Sequence, residues 1–144
     1  MTALAREKMQ IIERWTRHLF TLASGKKAWQ GGLAAINTAT GKVEPASSTA
    51  GLVVIGVFAE SIDASTADKE VNVDLGIEIE VRWWANAGAG GVTATDLGKV
   101  AFVVDDQTVS MTGTVAAGRV WAVEAGKGVA VEKLQYYVAP AVGP

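Results

Sequence analysis

The sequence predicts a mainly β protein, either an antiparallel β-sandwich or a small jelly-roll-like barrel, with an N-terminal amphipathic helix arm. Three features predict this fold: an unbroken apolar–polar alternation over residues 71–83, short β-branched runs separated by turn residues, and helical periodicity near the N-terminus. Apolar residues form 49% of the 144-residue chain and charged residues 19%, a balance typical of folded chains. A chain of this length is expected to form a single domain.

The N-terminal segment has the spacing of an amphipathic helix. Residues 4–23 carry apolar side chains at intervals of three and four, which places them on one helix face. This apolar stripe consists of Ile12, Trp15, Leu19 and Leu22. Ser24 and Gly25 supply a stop, because glycine accepts the left-handed conformation that often ends a helix. We therefore expect a helical arm over residues 1–25, a β domain over residues 26–135 and an extended tail over residues 136–144.

The β domain is predicted to begin with a hairpin. Residues 33–36 form a short apolar run, residues 38–42 have turn composition, and residues 43–45 form the return strand. Residues 51–59 are nearly all apolar and lie between Ser- and Thr-rich stretches. Their β-branched content favours a strand covered on both faces, although periodicity alone does not distinguish it from a short buried helix.

The longest predicted strand covers residues 71–83, with apolar side chains at every odd position. One face would pack on a core and the other would meet solvent or a partner. Because this is long for a strand, we expect a bend near Gly76. The alternation also places Trp83 and Trp84 on opposite faces. With Trp83 in the core, Trp84 would point outward as an interface residue; a two-sided core position for Trp84 is an equal alternative.

The C-terminal half is predicted to contain four further strands. They cover residues 99–104, 108–111, 119–124 and 129–134. Turn residues at 105–107 and 125–128 join these strands pairwise into hairpins, and residues 86–91 form a Gly-rich loop. Short strands at this spacing, without alternating helices, favour a sandwich or barrel over a parallel α/β sheet.

Charge is unevenly distributed along the chain. Residues 1–27 hold six basic and two acidic side chains, whereas the whole chain holds 13 basic and 15 acidic ones. A basic arm thus precedes an acidic body, which favours a protein surface over a polyanion as the partner of Arg14 and Arg17, and nucleic acid is not expected as a partner. The sequence shows neither a membrane-spanning run nor a signal peptide, so we expect synthesis in a cytoplasm and no membrane partner.

Residues suited to catalysis or metal binding are scarce. The chain has one histidine, His18, and no cysteine, which is too few for a site built from several His or Cys ligands. Glu78 and Glu80 share a face of the predicted strand and resemble a glycosidase carboxylate pair, but acidic pairs on solvated strands are far commoner. A hairpin turn accounts for the two acids at 105–106. We therefore expect a non-enzymatic protein with no cofactor and no metal ion.

Several segments follow the strand–turn rhythm of a known family. Residues 96–112 (DLGKVAFVVDDQTVSMT), 115–124 (VAAGRVWAVE) and 128–132 (GVAVE) resemble the C-terminal half of the head decoration, or capsid cement, proteins of tailed bacteriophages. Residues 32–46 and 51–59 are similar to the first hairpin and second strand of that family. The chain departs from the family in its predicted N-terminal helix, and in having Ala-Gly-Lys-Gly at 125–128 where an acidic turn is common.

The resemblance implies a virion structural protein that binds in many copies to the outer surface of a phage head and clamps neighbouring capsomers. Its expected partners are the major capsid protein and copies of itself, as a homo-oligomer for which a trimer is favoured over a dimer. The expected location is the capsid surface, after synthesis in the host cytoplasm. The helical arm would reach another subunit, or fold back onto its own sheet. The expected contact residues are Ile12, Arg14, Trp15, Arg17, Leu19, Leu22 and Trp84.

The alternative function is that of a β-sandwich module that binds carbohydrate or another small ligand. Its binding site would consist of Trp84 and the loop at residues 86–91. An exposed tryptophan serves either function, because tryptophan is enriched at interface hot spots and also forms flat platforms for ligands.

Overall fold

The computed structural model describes residues 16–76 and 80–134. Over these residues the protein is mainly β, as predicted, with a single 3₁₀ turn (Ala94–Asp96). The strands are β1 (Arg17–Leu22), β2 (Lys26–Ala28), β3 (Leu33–Asn37), β4 (Val43–Pro45), β5 (Leu52–Phe58), β6 (Ile62–Ala64), β7 (Lys69–Asp74), β8 (Val81–Asn86), β9 (Val100–Asp105), β10 (Thr108–Ser110), β11 (Ala116–Glu124) and β12 (Gly128–Glu132).

The strands close into two five-stranded barrels. The first barrel has the order β1-β4-β3-β5-β7 and the second has the order β10-β8-β12-β11-β9, while β2 and β6 form a separate two-stranded sheet. Of the two predicted alternatives, a sandwich or a small barrel, the structure has the barrel, but there are two barrels in place of one. Closure pairs the first and last strands of each barrel, which removes the exposed edges that an open sheet would present.

The two barrels have the same topology. The five strands of each barrel are counted here in chain order, without β2 and β6. In each barrel the first strand pairs in parallel with the third and antiparallel with the last. The second strand forms a hairpin with the third and also pairs with the fourth, which pairs with the last. Strands β8, β9, β10, β11 and β12 thus correspond to β1, β3, β4, β5 and β7. The short sheet formed by β2 and β6 belongs to the connections of the first barrel.

The correspondence extends to single residues. In the first barrel Ala34 pairs with Gly56 and the register shifts at the next residue; in the second barrel Ala101 pairs with Gly118 and shifts in the same way. A β-carbon on Gly56 would lie 2.0 Å from the carbonyl oxygen of Asp74, which ends the last strand of its barrel. A β-carbon on Gly118 would lie 2.1 Å from the carbonyl oxygen of Glu132, which ends the last strand of the second barrel. Each barrel therefore has a β-bulge followed by a glycine at one close backbone approach.

Two hydrophobic clusters form the core. The smaller cluster fills the first barrel and includes Leu22, Val43, Phe58, Val71 and Val73. The larger cluster fills the second barrel and continues onto the outer face of β3 and β5. It therefore contains residues of both barrels. The first-barrel members of this shared cluster are Leu33, Ala35, Ala46, Leu52, Val54 and Val57.

Hydrogen bonds also join the barrels. The Leu33 amide donates to the carbonyl oxygen of Asp106 (2.8 Å), and the Thr114 hydroxyl donates to the carbonyl oxygen of Ser48 (2.6 Å). Because a backbone group that is buried without a partner is costly, these bonds help to fix how the two barrels sit on each other.

The predicted helical arm is wrong for residues 17–22, which form β1; residues 4–15 lie outside the described residues. The segment fits two periods, because Leu19 and Leu22 match a helix whereas His18, Phe20 and Leu22 match a strand. All six residues of β1 pair with β7. This ladder, together with the burial of Leu22 in the first barrel, favours the strand over a short surface helix.

The predicted long strand over residues 71–83 is two strands in two different barrels. β7 ends at Asp74, Gly76 adopts a φ of +80°, and β8 begins at Val81, so the break near Gly76 is confirmed. Residues 77–79 lie outside the described residues. Val71 and Val73 point into the first barrel, whereas Val81 is exposed on the second. The apolar alternation thus continues in sequence while the face that it marks changes from inside to outside.

The remaining predicted strands are confirmed with small shifts of their ends. They correspond to β3, β4, β5, β9, β10, β11 and β12, and the turns at 105–107 and 125–128 form the β9–β10 and β11–β12 hairpins. β5 is covered on both faces except at the exposed Val53. The predicted tail over residues 136–144 lies outside the described residues.

Candidate interaction surfaces

The residues predicted to contact partners are not brought together. Leu22 is fully buried in the first barrel, whereas Leu19 is 46% exposed on its outer face. Arg17 is also on that face, where its Nε donates to Asp74 Oδ1 (2.7 Å); this bond raises the pKa of Arg17. Ile12, Arg14 and Trp15 lie outside the described residues. Within the described part of the chain, the predicted set therefore leaves one exposed leucine beside an ion pair.

Of the two positions predicted for Trp84, the outward one is wrong and a core position is found. Trp84 is only 8% exposed and belongs to the shared cluster, while its neighbour Trp83 lies on the outer face of the second barrel. The two tryptophans do face opposite sides, as the alternation required. The prediction of which tryptophan faces the core failed because β7 and β8 belong to different barrels. The odd-numbered residues that point inward in β7 therefore point outward in β8. A buried Trp84 offers no surface to a capsid or to a sugar.

A tryptophan face, defined here by Val81, Trp83 and Trp121, covers part of the outside of the second barrel. Val81 lies opposite Glu132, and Trp83 lies opposite Ala130, on adjacent antiparallel strands. Trp121 belongs to β11 on the other side of β12, and its indole Nε1 donates to Glu132 Oε1 (3.0 Å). Because Glu132 and Ala130 project from one side of β12, all three apolar residues stand around the same short segment.

The rings of the tryptophan face are held by charged neighbours. Lys127 Nζ lies 4.2 Å from the centroid of the Trp83 ring, a cation–π contact. Glu132 holds the indole of Trp121, which nevertheless is 49% exposed. One cation and one anion thus fix two large rings and leave apolar surface in solvent. Such pre-oriented aromatic side chains suit an interface, because little side-chain freedom is lost when a partner binds.

A cavity of about 440 Å³ lies between the barrels. Its apolar wall includes Leu33, Val57 and Trp84, and its rim carries the Glu80–Arg82 ion pair. Lys133 Nζ reaches from the second barrel to the carbonyl oxygen of Ile55 (3.1 Å), and burial lowers the pKa of Lys133. Glu78, the other predicted carboxylate, lies outside the described residues. Since Glu80 is paired with an arginine, its arrangement suits structural ion pairing better than acid–base chemistry.

A second depression lies where the β9–β10 turn meets residues 27–32. Trp29 is 55% exposed there, with Lys27 Nζ 4.7 Å from its ring centroid. The Asp105–Gln107 turn also lines this depression. Burial, and secondarily the charge of Asp105, raises the pKa of Asp106. The depression therefore combines an exposed ring with carboxylate and amide groups, a composition that can bind a polar ligand.

Other kinds of site are not found among residues 16–76 and 80–134. No group of three or more His, Cys, Asp and Glu side chains there is arranged to hold a metal ion. No helix in this part of the chain is long and apolar enough to cross a membrane. In the same residues, each deeply buried side-chain nitrogen or oxygen has a hydrogen-bond partner.

The two exposed tryptophans were missed in the sequence because each stands alone in its segment. Trp29 precedes the first predicted hairpin, and Trp121 is in a strand whose alternation is broken by a register shift between Val120 and Ala122. No protein-family model, no curated protein and no solved structure matches the chain.

Proposed function

We propose that this protein is a non-enzymatic virion structural protein that binds the outer surface of a phage head and stabilises contacts between capsomers. The resemblance of residues 96–132 to head decoration proteins supports the proposal. The single observation that carries it is the tryptophan face, where two large rings stand on the outside of one barrel, held by Lys127 and Glu132. The expected partner is the major capsid protein, and the expected location is the capsid surface.

The energy available at this face suits attachment in many copies. Covering the exposed half of Trp121 would remove on the order of 100 Å² of apolar surface from water, which contributes about 2–3 kcal/mol. Trp83 and Val81 add a smaller amount, because Trp83 is already partly buried. A contact of this size is weak alone, but attachment through several contacts multiplies modest affinities. The face therefore suits a protein that covers a repeating surface.

The test uses phage heads that lack their decoration layer. Purified protein should bind them at a fixed stoichiometry, measured by co-sedimentation, and should raise the temperature at which they break open. A Trp83→Ala/Trp121→Ala double variant should bind at least tenfold more weakly, since about 1.4 kcal/mol corresponds to a factor of ten. Trp29→Ala is the matched control, because Trp29 is about as exposed as Trp121 but lies outside the tryptophan face. Saturable binding that survives the double variant would contradict the assignment of this face, and absence of binding would contradict the function.

A second candidate function is carbohydrate binding at the depression around Trp29. The observation that favours it is the exposed ring of Trp29 in an open depression that Asp105, Asp106 and Gln107 also line. A glycan screen tests it, and the variants exchange roles: Trp29→Ala should abolish binding of a positive glycan, whereas the Trp83→Ala/Trp121→Ala variant should retain it. A screen without positives would exclude this candidate for the glycans tested.

A further inference from the structure

The outer face of β3 and β5 in the first barrel is a contact surface within the chain. Leu33, Ala35 and Val54 project outward from that barrel, yet they are 4%, 0% and 7% exposed because they join the cluster that fills the second barrel. Their neighbour Asp106, on the β9–β10 turn, accepts a hydrogen bond from the Leu33 amide (2.8 Å). A barrel of this topology therefore uses this face to pack on another barrel.

The second barrel has the corresponding face. Strand β9 corresponds to β3, and β11 corresponds to β5. The pair Val100–Arg119 is the counterpart of Leu33–Val57, and the pair Phe102–Ala116 is the counterpart of Ala35–Val54. The register shift falls at the same place in both strand pairs. The residues of β9 that correspond to the buried face are consequently Val100 and Phe102, followed two residues later by Val104.

This β9 stripe, defined as Val100, Phe102 and Val104, is apolar and only partly covered. Val100 and Phe102 are partly exposed, although their counterparts Leu33 and Ala35 are buried; Val104, whose counterpart Asn37 is only partly buried, is 41% exposed. Leu97, which lies three residues before β9, is also exposed. Three apolar side chains in a row on the solvent side of a strand are uncommon, because outward positions of a small barrel are mostly polar.

We propose that the β9 stripe binds a barrel of a second copy of this chain. The packing of the corresponding face within the chain identifies the occupant, because a face with the same strand pairing and the same bulge already packs on a barrel of this topology. The described residues contain two barrels, and these leave Val104 exposed and Val100 and Phe102 only partly buried. A second copy supplies the missing barrel.

The contact is head-to-tail. Within the chain the buried face of the first barrel has no buried counterpart on the second, so the two barrels are not related by a two-fold axis. A contact that repeats this relation between copies is heterologous, and such contacts close into rings or continue as fibres. It is also smaller than the contact within the chain, since Arg119 stands where the first barrel has Val57. We therefore expect association at micromolar concentration. The contact does not depend on attachment to a head.

The first experiment measures mass in solution by sedimentation velocity between about 1 and 200 μM, a range that spans micromolar association. The wild-type protein should grow in mass with concentration, and Phe102→Lys should remain a monomer with an unchanged circular dichroism spectrum. Leu19→Lys is the matched control, since Leu19 is an exposed outward leucine on the first barrel, and it should associate like the wild type. If Phe102→Lys does not fold, Val104→Lys replaces it. A wild-type monomer at every concentration, or a lysine variant with wild-type mass, would overturn the proposal.

The second experiment identifies the occupant. Because the chain has no cysteine, Val104→Cys provides a single attachment point for a benzophenone photo-crosslinker. An equimolar mixture of ¹⁵N-labelled and unlabelled protein should give mixed-isotope crosslinked peptides in about half of the products, as random pairing of two copies requires. Crosslinks confined to one isotope would show contact within a chain and would refute binding of a second copy. Failure of head binding would leave both results unaffected, so the two proposals are tested separately.

Discussion

The close backbone approaches at Gly56 and Gly118 lead to a quantitative prediction about barrel closure. Alanine at either position would place a β-carbon about 2 Å from a carbonyl oxygen, where real contacts do not fall below 3.0 Å. The obstructing atoms are backbone, so a change of rotamer cannot relieve the clash. In the first barrel, β5 and β7 are held by only two register pairs, Val57 with Asp74 and Phe58 with Val73. The methyl group must therefore separate the strands that close the barrel.

The cost follows from two contributions. Overpacking against a rigid neighbour destabilises by about 1–3 kcal/mol, and a lost ladder hydrogen bond adds about 1 kcal/mol. The restricted unfolded chain offsets about 0.4–1 kcal/mol of this total. We expect Gly56→Ala and Gly118→Ala each to lower the free energy of unfolding by about 2 kcal/mol, which for a chain of this size lowers the Tm by roughly 6–8 °C. Because the two glycines occupy corresponding positions, their costs should agree within about 1 kcal/mol, the scatter expected from context.

Urea denaturation followed by tryptophan fluorescence measures both costs. Gly88→Ala is the control: a β-carbon there meets no atom within 4 Å, and its free energy of unfolding should stay within about 0.5 kcal/mol of the wild type. If either Gly56→Ala or Gly118→Ala is as stable as this control, the strands do not approach as closely as described and the barrel correspondence fails.

Two further predictions concern polar contacts. The amide and side-chain nitrogens of Asn72 donate to Glu60 Oε2 (3.0 and 2.7 Å) and lower the pKa of Glu60 from its ordinary 4.5. The stability that these two hydrogen bonds contribute is therefore fully present above about pH 4.5, and it is lost as the pH falls through the pKa of Glu60 in the folded protein. Glu60→Gln should thus be less stable than the wild type at pH 7 and approach it near pH 3 in urea titrations. Asn86 exchanges two hydrogen bonds of 2.8 Å with the backbone of the buried Val92. Asn86→Ala should cost about 1–3 kcal/mol of unfolding free energy by leaving those backbone groups without partners, and Asn86→Asp should also destabilise, because it keeps the acceptor for the Val92 amide but sets a carboxylate oxygen against the Val92 carbonyl oxygen.

The strands that could be predicted are those bounded by strong turn residues. β3 and β4 flank a Thr- and Gly-containing turn, β9 and β10 flank Asp106 and Gln107, and β11 and β12 flank a turn that contains Gly126. Local turn chemistry fixed these hairpins, because turn residues select backbone conformations without reference to the rest of the fold. β1 could not be predicted in this way. Its partner β7 lies about fifty residues away, and a six-residue segment fits the helical period as well as the strand period.

The duplicated barrel was hidden for a different reason. The correspondence of Gly56 with Gly118 rests on pairing across strands, and the strands themselves share few residues. The same lack of pairing information exchanged the roles of Trp83 and Trp84, since alternation tells which residues share a face but not which face is buried. The exposed residues that could contact partners were therefore predicted by type, as tryptophans and apolar side chains, but not by position.

The shared cluster has a consequence for synthesis of the chain. All strands of the first barrel have been made once Asp74 is made, yet Leu33, Ala35 and Val54 await a cover built from residues 81–132. At ordinary elongation rates of about 5–20 residues per second, this apolar patch stays uncovered on the nascent polypeptide for roughly 3–12 s. During that interval it is open to neighbouring ribosomal products or to a chaperone. Slow translation of the second half should thus lower the soluble yield.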